Sequence, residues 1–405
     1  MAMVLQLTTF LQQWLYSRPD VKALRKEDDA VRLGIIGGSA MINAAAIIHP
    51  AETHPGAKIV AVSSRNIKDA QKAAKQFNIP KAYGSYEELL ADPEIEAVYI
   101  SVPNGLHGEW AIKSLQAGKH VLLEKPFTSN GLEARRVFEE AERCGKIVVE
   151  AFHWQFHPAA HVVKSLIASG KFGDIKKTFA RMTTPKGTIP GSDIRWQWAL
   201  GGGALMDETY ALHATRYFVG GDNETLLGTG IKPTVVSATS KSWSKDKRVD
   251  SASWADLRFD LEGGKTVESK IYVDMNQYNL ALVIPRAWEL PSIEIECEKA
   301  TIYFYDFMMA HVYHYISIYD KVTKHTTYQK HYNYGPKWKD VGDPHWSTYR
   351  YQLEAFVDKV RGREPKHWIT PEDSIAQMET IDAIYLKNGL GVRPVTGELD
   401  GASAE

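Results

Sequence analysis

The residues best suited to chemistry in this chain fall into two clusters. The first is Lys125, near the end of the run Gly118-Lys-His-Val-Leu-Leu-Glu-Lys-Pro126. Val121, Leu122 and Leu123 form the unbroken apolar stretch that a strand buried on both faces requires. Pro126 ends the ladder because it has no N–H to donate. Ligands of open α/β sheets bind at strand ends, so Lys125 is expected to face a bound molecule rather than merely cap a strand. The second cluster is Asp193-Ile194-Arg195-Trp196, followed by Gly201-Gly202-Gly203 and then by Asp207, Tyr210 and His213. Steps of three put an acid, a phenol and an imidazole along one face of a helix. That combination suits proton handling; half-buried surface residues are the plainer alternative for Tyr210 and His213.

Other motifs read as a nucleotide site. The first strand runs into Gly34-Ile-Ile-Gly37-Gly38-Ser39-Ala40-Met41-Ile42. A dinucleotide fingerprint would place glycines at 37, 39 and 42, and only Gly37 fits. Its position on the first strand of an alternating pattern still suits a pyrophosphate at Gly37, Gly38 and Ser39. The second strand ends in Ser63-Ser64-Arg65-Asn66, with Lys68 nearby and no acidic residue to hold a ribose 2′-hydroxyl. Ser64 and Arg65 would instead hold a 2′-phosphate, favouring NADP over NAD. Pro103-Asn104-Gly105-Leu106-His107 follows the next long strand. It is an ordinary turn in composition, or one that passes under the nicotinamide ribose with Asn104 and His107 as contacts. Glu150-Ala-Phe-His153-Trp-Gln155-Phe-His157-Pro158 offers histidines, a glutamine and aromatics to a polar ring-shaped ligand.

The elements that must position these residues change character along the chain. Strands are expected at 31–37, 58–63, 97–102, 120–124 and 147–152, with helices at 67–77, 107–117 and 132–144. This alternation predicts a doubly wound parallel sheet, a Rossmann domain over 31–156. A helix at 160–169 precedes period-two runs at 175–183, 234–243, 251–261, 266–276, 293–295 and 300–305. These predict a large, mainly antiparallel open sheet in a second α+β domain over 157–393. Helices at 347–360 and 371–388 would return to the first domain. Residues 1–30 read as a helical arm, with Leu5, Phe10, Leu11, Trp14 and Leu15 on one face, and 394–405 as a polar tail.

Composition excludes several classes. A chain of 405 residues with net charge −1 and 24% charged residues has no bias toward nucleic acid or an anionic membrane. Its 2 cysteines, Cys144 and Cys297, make no disulfide framework and have no metal-ligand spacing. No apolar run approaches the roughly 18 residues of a membrane span, and the N-terminus does not read as a secretion signal. A cytoplasmic protein without a metal is expected.

The Glu124-Lys125-Pro126 motif, the Gly201-Gly202-Gly203…Asp207 motif and the stretches 33–39, 83–93, 99–126, 150–158, 193–207 and 347–356 resemble the Gfo/Idh/MocA oxidoreductases. The likeness is to a fungal-type branch with NADP-dependent D-xylose dehydrogenases, close to the dimeric dihydrodiol dehydrogenases. The resemblance implies that Glu124 and Lys125 lie beside the nicotinamide and that Tyr210, its acidity raised by Lys125, exchanges the substrate proton. It further implies that His153, Gln155, His157, Arg195, Trp196 and Asp207 line the substrate site, and that the open sheet pairs two subunits in a homodimer. The implied reaction is hydride transfer at a hydroxyl or carbonyl carbon of an aldose, with a trans-dihydrodiol or secondary metabolite as the alternative. The chain departs from the family where a glycine is usual two residues after Asp207, and Gln155 replaces an arginine. With that glycine missing, either Tyr210 or His213 is the acid/base. The departures also leave open a catalytically silent NADP-binding partner protein.

Overall fold

The computed structural model describes residues 24–38, 40–220, 230–281 and 284–395. The expected N-terminal arm with Leu5, Phe10, Leu11, Trp14 and Leu15, the residue Ser39 and the tail beyond 395 lie outside the described residues.

The first sheet joins β1 (Val31–Ile36), β2 (Ala57–Ser63), β3 (Lys81–Tyr83), β4 (Ala97–Ile100), β5 (His120–Leu123) and β6 (Val148–Glu150). All neighbours are parallel, in the order β3-β2-β1-β4-β5-β6. The order reverses between β1 and β4, so their C-terminal ends part and leave a crevice. Val98 to Ile100 and Val121 to Leu123 are fully buried, which is why their sequences are continuous apolar runs. Helices Ile67–Phe77 and Gly131–Cys144 start where the Asn66 and Asn130 side chains accept from the Lys68 and Glu133 amides. Strand β3 and the helix Tyr86–Ala91 were not expected. Three half-buried residues are too few to display a period.

The second sheet comprises β7 (Ile175–Pro185), β8 (Thr234–Ser242), β9 (Asp250–Asp260), β10 (Thr266–Gln277), β11 (Ser292–Cys297), β12 (Ala300–Tyr305), β13 (Tyr315–Asp320) and β14 (His325–Gln329). Its order is β14-β13-β12-β11-β7-β10-β9-β8, antiparallel except for the β7–β10 pair. One face is apolar through Ala255, Leu257, Ile271, Val273, Ile293, Ile295, Ile302 and Phe304, and the helix Tyr210–Val219 packs on it against β7, β10 and β11. Strand β14 escaped the sequence pattern because His325–Gln329 has little apolar contrast, and β13 because only Ile316 and Ile318 mark its period.

Helices Thr348–Val360 and Pro371–Lys387 pack against elements of the first sheet's side. Asp382 accepts from the Gly131 amide at 2.8 Å, and Arg361 meets Glu27 at 2.7 Å and Asp29 at 3.0 Å.

Candidate active site

The crevice at the ends of β1 and β4 begins with Gly37, whose φ of +105° and whose close approach to Ser101 leave no room for a side chain. A Cβ there would lie 3.0 Å from the Ser101 backbone. The amides of Gly37 and Gly38 both donate to the Ser63 carbonyl, at 3.3 and 2.7 Å. These glycines therefore give a ligand space and tie β1 to β2; their N–H groups are already engaged. Asn43 locks the turn by donating to the Gly37 carbonyl at 2.9 Å while accepting from Ser101 at 2.7 Å. Beyond β2, Ser64 is buried, whereas Arg65 and Lys68 are exposed. No carboxylate occupies 63–66, so the end of β2 is a cationic ledge suited to a phosphate.

Pro103 and Asn104 lie half-buried where the two sheets' loops touch. The Asn104 amide reaches the Gly201 carbonyl at 3.4 Å. A Cβ on Gly105 would come within 2.8 Å of the Leu200 backbone, so only glycine permits this contact.

Across the crevice, Lys125 follows β5 and donates to the main-chain carbonyl of Asp207 at 2.6 Å and to its carboxylate at 3.3 Å. Arg195 donates to the other Asp207 oxygen at 3.0 Å and to Asp193 at 3.1 Å. Burial alone would raise the Asp207 pKa, but Lys125 and Arg195 outweigh it and hold the carboxyl below its ordinary value. Glu124 faces inward, accepting from the Tyr99 hydroxyl at 2.7 Å and from the Lys125 amide at 3.2 Å. Burial raises its pKa.

Asp207 owes its place to a buried ion pair. Arg393 meets Asp250 at 2.9 Å with both side chains wholly buried, and it donates to the Gly202 carbonyl at 2.9 Å. Asp250 also accepts from the Tyr385 hydroxyl and the Leu205 amide, at 2.8 and 2.9 Å. An ion pair so enclosed is costly to break, and this one pins the turn that starts the helix Ala204–Asp207.

The single helical face expected for Asp207, Tyr210 and His213 is not what forms. The helix stops at Asp207, and another begins at Tyr210. Glu208 accepts from the Thr184 hydroxyl and the Asp274 amide, each at 2.7 Å, and so fastens the break to the second sheet. Thr209 stands where the family glycine would be, at φ −56° and ψ −11°. The shortened segment is right-handed there and does not need glycine.

Tyr210 remains in the cluster. Its hydroxyl lies 3.0 Å from Nε2 of His153, and the Lys125 ammonium stands 5.0 Å from its ring centroid. Lys125 thus faces the ring, and the hydroxyl's hydrogen bond goes to His153. His213 points elsewhere: it stacks on Phe152 at 3.7 Å, accepts from the Trp154 indole at 3.1 Å and lies 3.4 Å from Asp373. Its pKa is lowered by burial, against the pull of Asp373.

Four other expected residues are also turned inward. His107 sits between the Pro126 and Val102 carbonyls at 2.7 and 3.0 Å, and burial pushes it down to about 4. His157 accepts from the Ala159 amide at 3.3 Å at the start of the helix Pro158–Ala168. Gln155 accepts from His367 at 3.0 Å, and Trp196 is buried against Trp243 at 5.1 Å. These four clamp loops and fill the interior. Sequence reasoning singled out none of Tyr99, Asn43, Thr348 and Tyr349 around the site, although 99–126 and 347–356 are among the stretches that resemble the family.

Comparison with known proteins bears on the family and the fold. The profile described as "Oxidoreductase family, NAD-binding Rossmann fold" (GFO_IDH_MocA) matches residues 31–152, and the GFO/IDH/MocA C-terminal domain matches residues 161–303. A D-xylose 1-dehydrogenase (NADP(+)) from Haloferax volcanii is 32% identical over 357 residues, covering 87% of this chain and 95% of the relative. A trans-1,2-dihydrobenzene-1,2-diol dehydrogenase from Xenopus laevis is 37% identical over 158 residues, which are 39% of this chain and 46% of that one. The crystal structure of KijD10, a 3-ketoreductase from Actinomadura kijaniata in complex with NADP and TDP-benzene, superposes with a TM-score of 0.70 at 25% identity. That likeness spans 88% of this chain and 98% of KijD10. Among the described residues no helix is long and apolar enough to cross a membrane. With a profile of the same family matched in each half, the chain belongs to the Gfo/Idh/MocA oxidoreductases.

Proposed function

We propose that this chain is an NADP-dependent dehydrogenase acting on a polyhydroxylated ring, with an aldose of the D-xylose type oxidised at C1. The observation that carries this reading is the meeting of Lys125, Asp207, Arg195 and Tyr210 at the C-terminal end of β5. Gly37 and Gly38 would leave space for the pyrophosphate, Ser64, Arg65 and Lys68 would meet the 2′-phosphate, and Pro103 and Asn104 would border the ribose. When bound, NADP supplies the hydride acceptor. Arg195 and Asp207 then orient the substrate hydroxyls, and Tyr210 takes the hydroxyl proton as the carbon loses hydride. Lys125 holds Asp207 and adds positive charge where alkoxide character develops. The xylose dehydrogenase of Haloferax, matched across most of its length, supports the choice of substrate.

A flatter cyclic diol is the second reading, favoured by the half-buried Trp198 beside the Asp193–Trp196 segment. An NADP⁺ reduction screen of pentoses, hexoses and trans-dihydrodiols decides between them. Pentose turnover supports the proposal, and diol turnover alone replaces it. NADP binding without turnover on any of these moves the chain to the silent class.

A further inference from the structure

A hydrogen-bonded file leads away from Tyr210. His153 Nε2 lies 3.0 Å from the tyrosine hydroxyl, and His153 Nδ1 lies 2.8 Å from Thr348 Oγ1. Thr348 Oγ1 in turn lies 3.2 Å from His311 Nδ1. His153 and Thr348 are 1% and 0% exposed, whereas His311 is half-buried and reaches solvent.

One main-chain donor sets the His311 tautomer at the outer end of the file. The Thr348 N–H points at His311 Nδ1 at 3.3 Å, so that nitrogen is an acceptor and the His311 proton sits on Nε2. The Thr348 hydroxyl, at 3.2 Å, shares the one lone pair of that nitrogen with the main-chain N–H as a three-centre bond. Its oxygen then accepts from His153 Nδ1–H, which leaves His153 Nε2 to accept from Tyr210. Every link points outward.

The surroundings suit transfer rather than storage. Tyr349 stacks on His153 at 3.8 Å, and Tyr210 meets it edge-on at 5.6 Å. Burial, reinforced by His311 and Lys125, holds the His153 pKa far below the usual imidazole range. The nearby His157 is held neutral in the same way. A proton arriving at His153 would therefore not rest there.

We propose that His153, Thr348 and His311 form a proton relay between Tyr210 and solvent. The relay rests on the role given to Tyr210 above. In oxidation the substrate O–H proton passes to Tyr210 as the C–H electron pair leaves with hydride. Tyr210 gives its own proton to His153 Nε2, and His153 Nδ1–H moves to Thr348. The Thr348 proton moves to His311 Nδ1, and the resulting imidazolium releases Nε2–H to water. One proton leaves for each hydride transferred and leaves the file pointing inward, so its groups turn back to their starting orientation before the next oxidation, and reduction runs the inward-pointing file backward.

The test combines kinetics with a readout that needs no turnover. Thr348→Val should lower kcat about tenfold or more with KM nearly unchanged, and should flatten a curved proton inventory of the solvent isotope effect. Thr348→Ser should restore both. His311→Ala should lose rate that millimolar imidazole returns. Nitrogen-15 NMR of histidine-labelled protein should show His153 neutral with its proton on Nδ1. Unchanged kcat and isotope effect in Thr348→Val, or a His153 proton on Nε2, overturns the relay. If Tyr210→Phe is dead while Thr348→Val is normal, the relay alone fails; if Tyr210→Phe is also normal on a verified substrate, the functional reading fails first.

Discussion

Lys125 and Asp207 join the two sheets: the ammonium that follows β5 binds both the carbonyl and the carboxylate of Asp207, at 2.6 and 3.3 Å. The bond fixes Asp207 against the end of β5, and together with Arg195 it keeps the Asp207 carboxylate ionised.

Replacing Lys125 by methionine keeps the stem and removes the charge. Turnover should fall by at least about a hundredfold, the lower range for a group that acts in the transition state. NADP affinity, read by nucleotide fluorescence, should change only a few-fold. If affinity falls as far as turnover, Lys125 belongs to cofactor binding and the active-site assignment needs revision.

Tyr210→Phe removes a hydroxyl that is bonded to His153. The loss should be about 10²–10⁴ in kcat, with little change in KM. His213→Asn is the contrasting variant. The His213 ring stacks on Phe152 and contacts Asp373, so this change should lower the melting temperature while leaving kcat within a few-fold. A dead but fully stable His213→Asn would return the acid/base role to the histidine.

The centre of the first sheet was legible because β4 and β5 are buried on both faces and read as unbroken apolar runs, and the helices at 67–77 and 131–144 carry side-chain caps. Lys125 was legible for the same reason, being placed by the strand before it. The histidines were not. His107, His153, His157 and His213 share one residue type and similar apolar flanks, yet only His153 reaches Tyr210. The break between Asp207 and Tyr210 was equally hidden, because Glu208 is held by Thr184 and Asp274 from distant strands. Thr348 and His311 lie far along the chain from the site, and although Thr348 falls in the family-like stretch 347–356, nothing in the sequence sets either residue against Tyr210.

Cofactor preference tests the cationic ledge after β2. Arg65 is exposed and no carboxylate stands at 63–66. Arg65→Ala should weaken NADP binding by roughly ten- to a hundredfold, the worth of a charge-assisted contact of about 1.5–3 kcal/mol. NAD binding should hardly move. Equal affinities for NAD and NADP in the unaltered protein would remove the basis for this assignment.

Glu150, at the end of β6, makes a stability prediction. Its carboxyl is 1% exposed, and among the described residues Ser374 and the Phe127 amide face it without closing a well-formed hydrogen bond. Burial, with Asp373 adding to it, pushes its pKa up to about 8, and Ser374, the Phe127 amide and Arg216 only moderate the rise. The folded pKa lies above the unfolded value of about 4.3. This group's contribution to stability is therefore full below that value and is lost as pH rises through about 8. Glu150→Gln should stabilise the protein at pH 8 more than at pH 5, by an amount on the order of a few kcal/mol at most. Urea melts at both pH values measure the difference, and an equal shift at both would assign the effect to packing.

The outer face of the second sheet makes the last prediction. The helix Tyr210–Val219 packs on the apolar face, and the other face carries Phe179, Trp254 and Tyr328, exposed by 43, 41 and 71%. Around them the rings of Trp254 and Tyr272 stack at 5.0 Å, as do those of Tyr305 and Tyr315. Arg181 and Ser292 separate the two aromatic groups along the row, yet together they expose more ring surface on one face than scattered residues explain, which usually marks an interface. A sheet face that packs on a second copy of itself yields a closed two-fold dimer, since the same patch serves both partners. We expect a homodimer by sedimentation equilibrium at micromolar concentration. Tyr315→Asp places a charge in the aromatic cluster on β12 and β13 of this face, away from Lys125, Asp207 and Tyr210. It should produce monomers that keep NADP affinity. A monomeric parent protein rejects the interface outright, and a Tyr315→Asp variant that stays dimeric moves the contact to another surface.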